Sequence, residues 1–277
     1  MANWVADNLD NAFETWNEKV AELWQLVSET PETFKGGHIW TVIEGINHSL
    51  QAIGLGLLVV FFALSLARGT LNFADLKRPE QALKYFLRFC LAKAAVTYGM
   101  SLMTTIFSIC GGVVSAIAEQ MGGMTASIAL PDEMRDIING LGFFESIPLW
   151  FVTLLGSLFI TVLSFILILT VYSRFFKLYI YCALSPIPLA SFAGEGTSST
   201  GHAFLKSYIG VCMEGAVIVL ACVIFAAFSS SGPPVLDPTA EPVSMTWQYI
   251  GEVIFNMLVL VGLVKGGEHL VREMMGA

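Results

Sequence analysis

Uncharged or nearly uncharged runs of membrane-spanning length recur along this chain, and a soluble fold rarely needs several of them. Residues 49–67, 94–118 and 148–173 hold no Asp, Glu, Lys or Arg, while 207–228 and 247–264 hold one each, Glu214 and Glu252. Each run is close to the roughly 20 residues that a helix needs to cross the hydrocarbon core. Composition agrees: 55% of the residues are hydrophobic and 13% charged, with a mean hydropathy of +0.71. Lipid is the expected solvent, and the expected fold is all-α, a polytopic membrane helix bundle forming one transmembrane domain over 48–277.

A sixth apolar stretch, 178–194, is different. Ser185-Pro186-Ile187-Pro188 interrupts it, and two missing amide donors leave carbonyls unpaired in lipid. Pro186 and Pro188 therefore mark a break, and a re-entrant or interfacial hairpin buried in protein would satisfy those groups. Gly194 to Gly201 reads as a polar loop. Ahead of the second span, Pro79 is placed to open a helix whose Lys84, Arg88 and Lys93 mark its approach to the membrane. Within that span Thr97, Ser101 and Thr105 form one ladder of small residues and Ser108, Gly112 and Ala116 another, which lets a neighbouring helix approach closely. Residues 119–147 form an acidic loop, with Gly122-Gly123 and a place for a short helix to start at Pro131.

Residues 1–47 are expected to lie outside the membrane as an amphipathic helix and linker. Leu9, Phe13, Trp16, Val20, Leu23 and Val27 recur at alternating spacings of four and three, which lines them along one helical stripe. Asp10, Glu14, Glu18 and Glu22 fall on the opposite face. An acidic face gains nothing from anionic lipid, so a protein partner or the outer interface suits it. Thr30-Pro31 is a stop signal, followed by a Gly36-Gly37 hinge. Met1 to Asp10 lacks a basic start and an apolar core, so the first span is expected to direct insertion itself.

Eleven of the 14 Lys and Arg residues lie in 68–93, 174–206 and 265–277. The positive-inside bias makes these segments cytoplasmic, with five spans, an outside N-terminus and an inside C-terminus. A six-span count moves Lys206, Lys265 and Arg272 outside and spoils the asymmetry. All six tryptophans fall on the outer side of the five-span arrangement. Arg68, Lys77, Arg78, Lys84, Arg88, Arg174 and Lys177 then form a basic cytoplasmic docking surface. Lipid or another subunit is a better match for it than DNA, because the net charge of -8 disfavours a general nucleic-acid surface.

Glu214 is the residue that most invites a functional question, since an intramembrane charge costs roughly 2.5–3.5 kcal/mol on insertion scales and faces protein or water. Two readings stay open: structural glue, protonated or paired with a basic residue such as Lys93, and a place on a pathway. The cysteines Cys90, Cys110, Cys182, Cys212 and Cys222 lie in apolar segments without CxxC spacing and read as packing residues. His38, His48, His202 and His269 show no ligand spacing, so neither metal nor cofactor is expected. No Walker A loop, GxSxG elbow or HExxH motif occurs, so no catalytic residues are expected either.

The stretch from Ser173 through Lys177, Ser185-Pro-Ile-Pro188 and Gly194-Glu-Gly196 to Thr197, followed by a span with a polar lead-in, resembles the TrbL family, relatives of the sixth VirB protein. The resemblance is to a subunit from a conjugative element of Gram-positive type. It implies an inner-membrane (plasma-membrane) channel component of a type IV secretion system, moving single-stranded DNA with its relaxase, or effector protein. It further implies a homo-oligomer packed against other secretion subunits near a cytoplasmic ATPase. A small-solute transporter is the alternative, disfavoured because only one broken helix is visible where inverted repeats need two. A membrane enzyme is a third reading, without a motif to carry it.

Overall fold

The computed structural model describes residues 3–69, 79–119, 127–140, 143–229 and 241–276. Lys77, Arg78, Gly122-Gly123 and residues 230–240 lie outside the described residues. Nine α-helices are found among the described residues, and no strand: α1 (Asn3–Ser28), α2 (His38–Gly69), α3 (Pro79–Thr97), α4 (Gly99–Glu119), α5 (Asp132–Asn139), α6 (Phe143–Leu184), α7 (Pro186–Ala190), α8 (Ser198–Ser229) and α9 (Pro242–Met275). Two 3-10 turns, Phe34–Gly37 and Ser191–Ala193, join them. The fold is an all-α polytopic helix bundle. Five helices are long and apolar enough to cross a membrane: Phe34–Ala67, Gly99–Glu119, Ser146–Leu184, Ser198–Phe228 and Pro242–Met275. Large side chains such as Ile53, Val59, Phe151, Leu158, Phe165 and Leu169 are exposed on them, as lipid-facing positions should be.

Several boundaries differ from expectation for local reasons. The helix holding the third span does not stop near Arg174 but runs on as α6 to Leu184, ~63 Å at 1.5 Å per residue. Nothing between 174 and 184 breaks a helix, and Phe175, Leu178, Tyr179 and Cys182 supply a buried stripe there. The first seven residues of 178–194 thus complete α6. The second span divides at Tyr98 into α3 and α4, with amide bonds from Tyr98 to Ala94 (2.8 Å) and Leu102 to Tyr98 (2.9 Å) carrying the ladder across. α8 starts at Ser198, inside the expected polar loop.

The chain forms two compact units. The first comprises Met1–Ser28, Val114–Tyr172 and Ala216–Gly267. In it the apolar stripe of α1 is fully occupied by the chain itself: Leu9, Phe13, Trp16, Val20, Leu23 and Val27 are all buried. The polar flank of α1 is fastened as well. Asn17 donates to the Ile128 carbonyl (2.8 Å) and accepts from the Ile128 amide (3.0 Å), and Arg135 of α5 pairs with Asp10 at 2.7 Å. Trp4 packs on Trp150, with ring centroids 5.6 Å apart. Helix α6 meets α9 closely at Gly156, where a Cβ would lie 2.6 Å from Ile250.

The second unit comprises Glu29–Val113, Ser173–Gly215 and Glu268–Ala277. After α1 the chain reverses through Lys35, Gly36 and Gly37 at positive φ (51°, 76° and 74°), a region that glycine enters without steric cost. The turn docks on the end of α6: Phe34 stacks on Phe175 at 4.1 Å, and the Tyr179 hydroxyl donates to the Pro31 carbonyl at 2.9 Å.

The unit is organised around the proline break. Pro186 has no N–H to offer the carbonyl four residues back, that of Cys182. Asn47 of α2, 3% exposed, donates to that carbonyl at 2.7 Å, and the Ser185 hydroxyl donates to it at 3.0 Å. α7 and the following 3-10 turn are wedged between α2 and α3, with Leu189, Ala190 and Ala193 in one core with Leu58, Ala92 and Val96. α2 approaches so closely that a Cβ on Gly54 would lie 2.7 Å from the Pro186 oxygen. The broken backbone is therefore buried in protein. Replacing Asn47 by Leu removes the inter-helix donor while keeping bulk. The expected loss is about 1–3 kcal/mol of stability, measured as a lower midpoint of thermal denaturation in detergent, and an unchanged midpoint would refute this role for Asn47.

Candidate functional site

α6, α8 and α9 bring five charged residues of the second unit together. α6 supplies Arg174 and Lys177, three residues apart and so on one face. Glu214 comes from α8, and Glu268 and Arg272 from α9. The Lys177 ammonium lies 2.6 Å from Glu268 and 3.4 Å from Glu214, and the other oxygen of Glu268 accepts from Arg272 at 3.1 Å. Lys177 is thus the cation that holds two carboxylates. A cavity of about 230 Å³ adjoins them, lined in part by Tyr181, Lys206, Ser207, Glu214, Glu268 and Arg272.

Arg174 is the outlier of the group. It is 1% exposed, and among the described residues its Nε and Nη1 have no hydrogen-bond partner. Its Nη2 donates to the Cys212 carbonyl at 3.4 Å, and its guanidinium lies 5.5 Å from the Phe107 ring centroid and 5.9 Å from that of Phe175. Ring faces attract a cation, more so where water is excluded. Space for the guanidinium depends on Gly215, where a Cβ would come within 2.7 Å of three of its atoms.

These positions correct two expectations. Glu214, 9% exposed, is paired, but with Lys177; Lys93 is an exposed residue of α3. The reason is the continuation of α6 past Arg174, which presents Lys177 to α8. Arg174 does not belong to a docking surface, since it is enclosed, and Lys177 is occupied by two carboxylates. Of the other basic residues, Arg68 lies in the last turn of α2, Lys84 is exposed, and Arg88 faces Glu195 at 3.6 Å. Glu268 and Asn47 escaped the sequence reading. The signal for Glu268 was a carboxylate one turn before Arg272 at the end of a long apolar helix. Nothing in the sequence pairs Asn47 with a carbonyl 135 positions away.

On α1, Glu14 and Glu18 are exposed, whereas Asp10 is taken by Arg135 and Glu22 by Lys19 (2.6 Å) and the Tyr172 hydroxyl (3.1 Å). Hydrogen bonding to the Glu22 carboxylate holds the Lys19 ammonium above the usual lysine pKa, against a smaller opposing effect of burial.

The charge cluster makes a prediction of its own. Lys177→Met leaves Glu214 and Glu268 facing each other without their shared cation, at an expected cost of about 1–3 kcal/mol. Glu268→Gln costs less. Adding Glu214→Gln to Lys177→Met restores part of the loss because the stranded carboxylate is gone. Thermal denaturation of these three variants and of Glu214→Gln alone checks this, and strictly additive effects would refute the coupling.

A family model described as TrbL/VirB6 plasmid conjugal transfer like protein matches residues 16–186, more than half of the chain. The match takes in both partners of the Asn47 bond to the Cys182 carbonyl, and it ends at Pro186. No curated protein and no solved structure matches the chain.

Proposed function

This chain belongs to the TrbL/VirB6-like plasmid conjugal transfer family, and from that premise we propose that it is the channel or scaffold subunit of a type IV secretion machine. The family makes it a multi-pass membrane component of conjugal transfer, associated with other secretion subunits. In the finer reading, several copies enclose a passage for single-stranded DNA with its relaxase, or for effector protein, close to a cytoplasmic ATPase. No step in that work asks the chain for catalysis. A conduit needs spans that associate and polar groups along a shared cavity.

One observation carries the reading. Ser101, Thr105, Ser108, Gly112 and Ala116 of α4 are all exposed, although α4 is one of the five helices apolar enough to span. The Thr105 hydroxyl returns to the Ser101 carbonyl at 2.7 Å, so the face is smooth, small and weakly polar. Such a face is wasted on lipid, which offers hydroxyls nothing. It suits close contact with a helix of another copy, or the wall of a wet passage that copies enclose together. The basic segments 68–93, 174–206 and 265–277 support an orientation with the N-terminus outside and the C-terminus in the cytoplasm.

In a mating assay, Ser108→Leu combined with Gly112→Leu is expected to lower transfer at least tenfold at an unchanged level of membrane-inserted protein. Ser108→Cys is expected to give an oxidative cross-linked dimer, and Leu169→Cys on α6 none. Undiminished transfer together with no cross-link would sink the proposal. Glu214→Gln separates packing from passage: retained transfer assigns the charge cluster to packing, while lost transfer at normal protein level places it on the route. A reporter fused after Ala277 that is active only outside the cell would overturn the orientation.

A further inference from the structure

α3 is not among the five helices apolar enough to span, yet it exposes Leu83, Phe86, Leu87 and Leu91 beside the cations Lys84, Arg88 and Lys93. That mixture belongs to a helix entering the membrane from the headgroup layer, with charged heads reaching back to the headgroups and apolar side chains in the acyl layer. A groove of about 400 Å³ runs along it, with Lys84 and Arg88 in its wall together with Leu87, Leu91 and Ala95, and Phe192 of the 3-10 turn after α7 closing the other side. Cations are one turn apart, and the apolar lining continues for two turns beyond them.

We propose that this groove is a binding site for one anionic phospholipid, with the phosphate between Lys84 and Arg88 and one acyl chain along Leu87, Leu91 and Ala95 against Phe192. Charge complementarity picks the occupant. Lys84 has no carboxylate partner among the described residues. Arg88 has Glu195 at 3.6 Å, but Arg88 is partly and Glu195 well exposed, and a pair so solvated is held weakly enough for a phosphate to take the guanidinium. Shape picks it too. From Lys84 to Ala95 the helix rises ~16 Å, about the depth of one leaflet's hydrocarbon. A single strand of DNA would also bring phosphates, but it needs a row of aromatic platforms for its bases, and among the described residues Phe192 is the one aromatic ring lining the groove. Because Phe192 of the 3-10 turn after α7 forms the far wall, a bound lipid would brace that turn and, through it, the proline break.

The test uses the purified full chain in neutral detergent, probed by native mass spectrometry with phosphatidylglycerol and phosphatidylcholine of the same acyl chains. Retention of phosphatidylglycerol at least tenfold over phosphatidylcholine is expected. Each cation near a charged bilayer surface is worth about a fivefold change in affinity, so Lys84→Gln with Arg88→Gln should lower phosphatidylglycerol binding about 25-fold and phosphatidylcholine binding by much less. Lys84 is exposed and Arg88 partly so, and circular dichroism checks that helix content is kept. Ala95→Trp fills the trough with the cations intact and should weaken both lipids. Equal retention of the two lipids, or phosphatidylglycerol binding indifferent to the double charge variant, would overturn the site. So would its displacement by equimolar glycerol phosphate or by a single-stranded oligonucleotide, which would assign the groove to a bare phosphate or to nucleic acid. Lipid retention is read on isolated protein, so its failure leaves the transfer reading standing.

Discussion

A carbonyl deprived of its helical amide has nowhere to turn in a membrane except to another part of the protein. Pro186 creates such a carbonyl on Cys182, and the amide of Asn47 answers it from α2. Much of the second unit follows from that bond. α2 must lie against the break, Gly54 must be small enough to let it do so, and the wedge of α7 and its 3-10 turn must fill the space between α2 and α3. A proline pair that would spoil an ordinary span thus becomes the point on which three helices agree.

The charge cluster rests on the same principle with larger forces. Lys177 bridges two carboxylates that would otherwise repel, and Arg272 adds a second cation on Glu268. Arg174 has no such answer. It sits with two nitrogens unpartnered among the described residues, on aromatic faces beside a glycine. Burying a guanidinium this way is costly, and what offsets the cost here is the ring faces, one carbonyl and the nearby carboxylate of Glu214.

Much of this arrangement is legible in the amino-acid order because bilayers impose a coarse rule: long uncharged runs become spans, and the five expected spans correspond to the five long apolar helices. The stripe of α1 was legible for a similar reason, since a period of 3.6 residues needs no tertiary information. The end of α6 was not. Arg174 looked like the edge of a membrane because charges usually are, and only packing by Phe175, Leu178 and Tyr179 makes it the middle of a helix. From that single misplacement came the wrong partner for Glu214. Which cation reaches which carboxylate depends on helix register, and register between distant segments leaves no local trace.

The distance in sequence between Asn47 and Cys182 has a consequence for biogenesis. At a synthesis rate of 5–20 residues per second, the 135 residues that separate them take roughly 7 to 27 s to make. Throughout that interval α2 is present with a polar amide and no carbonyl to receive it, and Gly54 lies open along the same helix. Until α6 arrives, that amide must be satisfied by some group other than its final partner. Insertion of the first span and its final seating are therefore separate events, and the proline break is the latch that joins them.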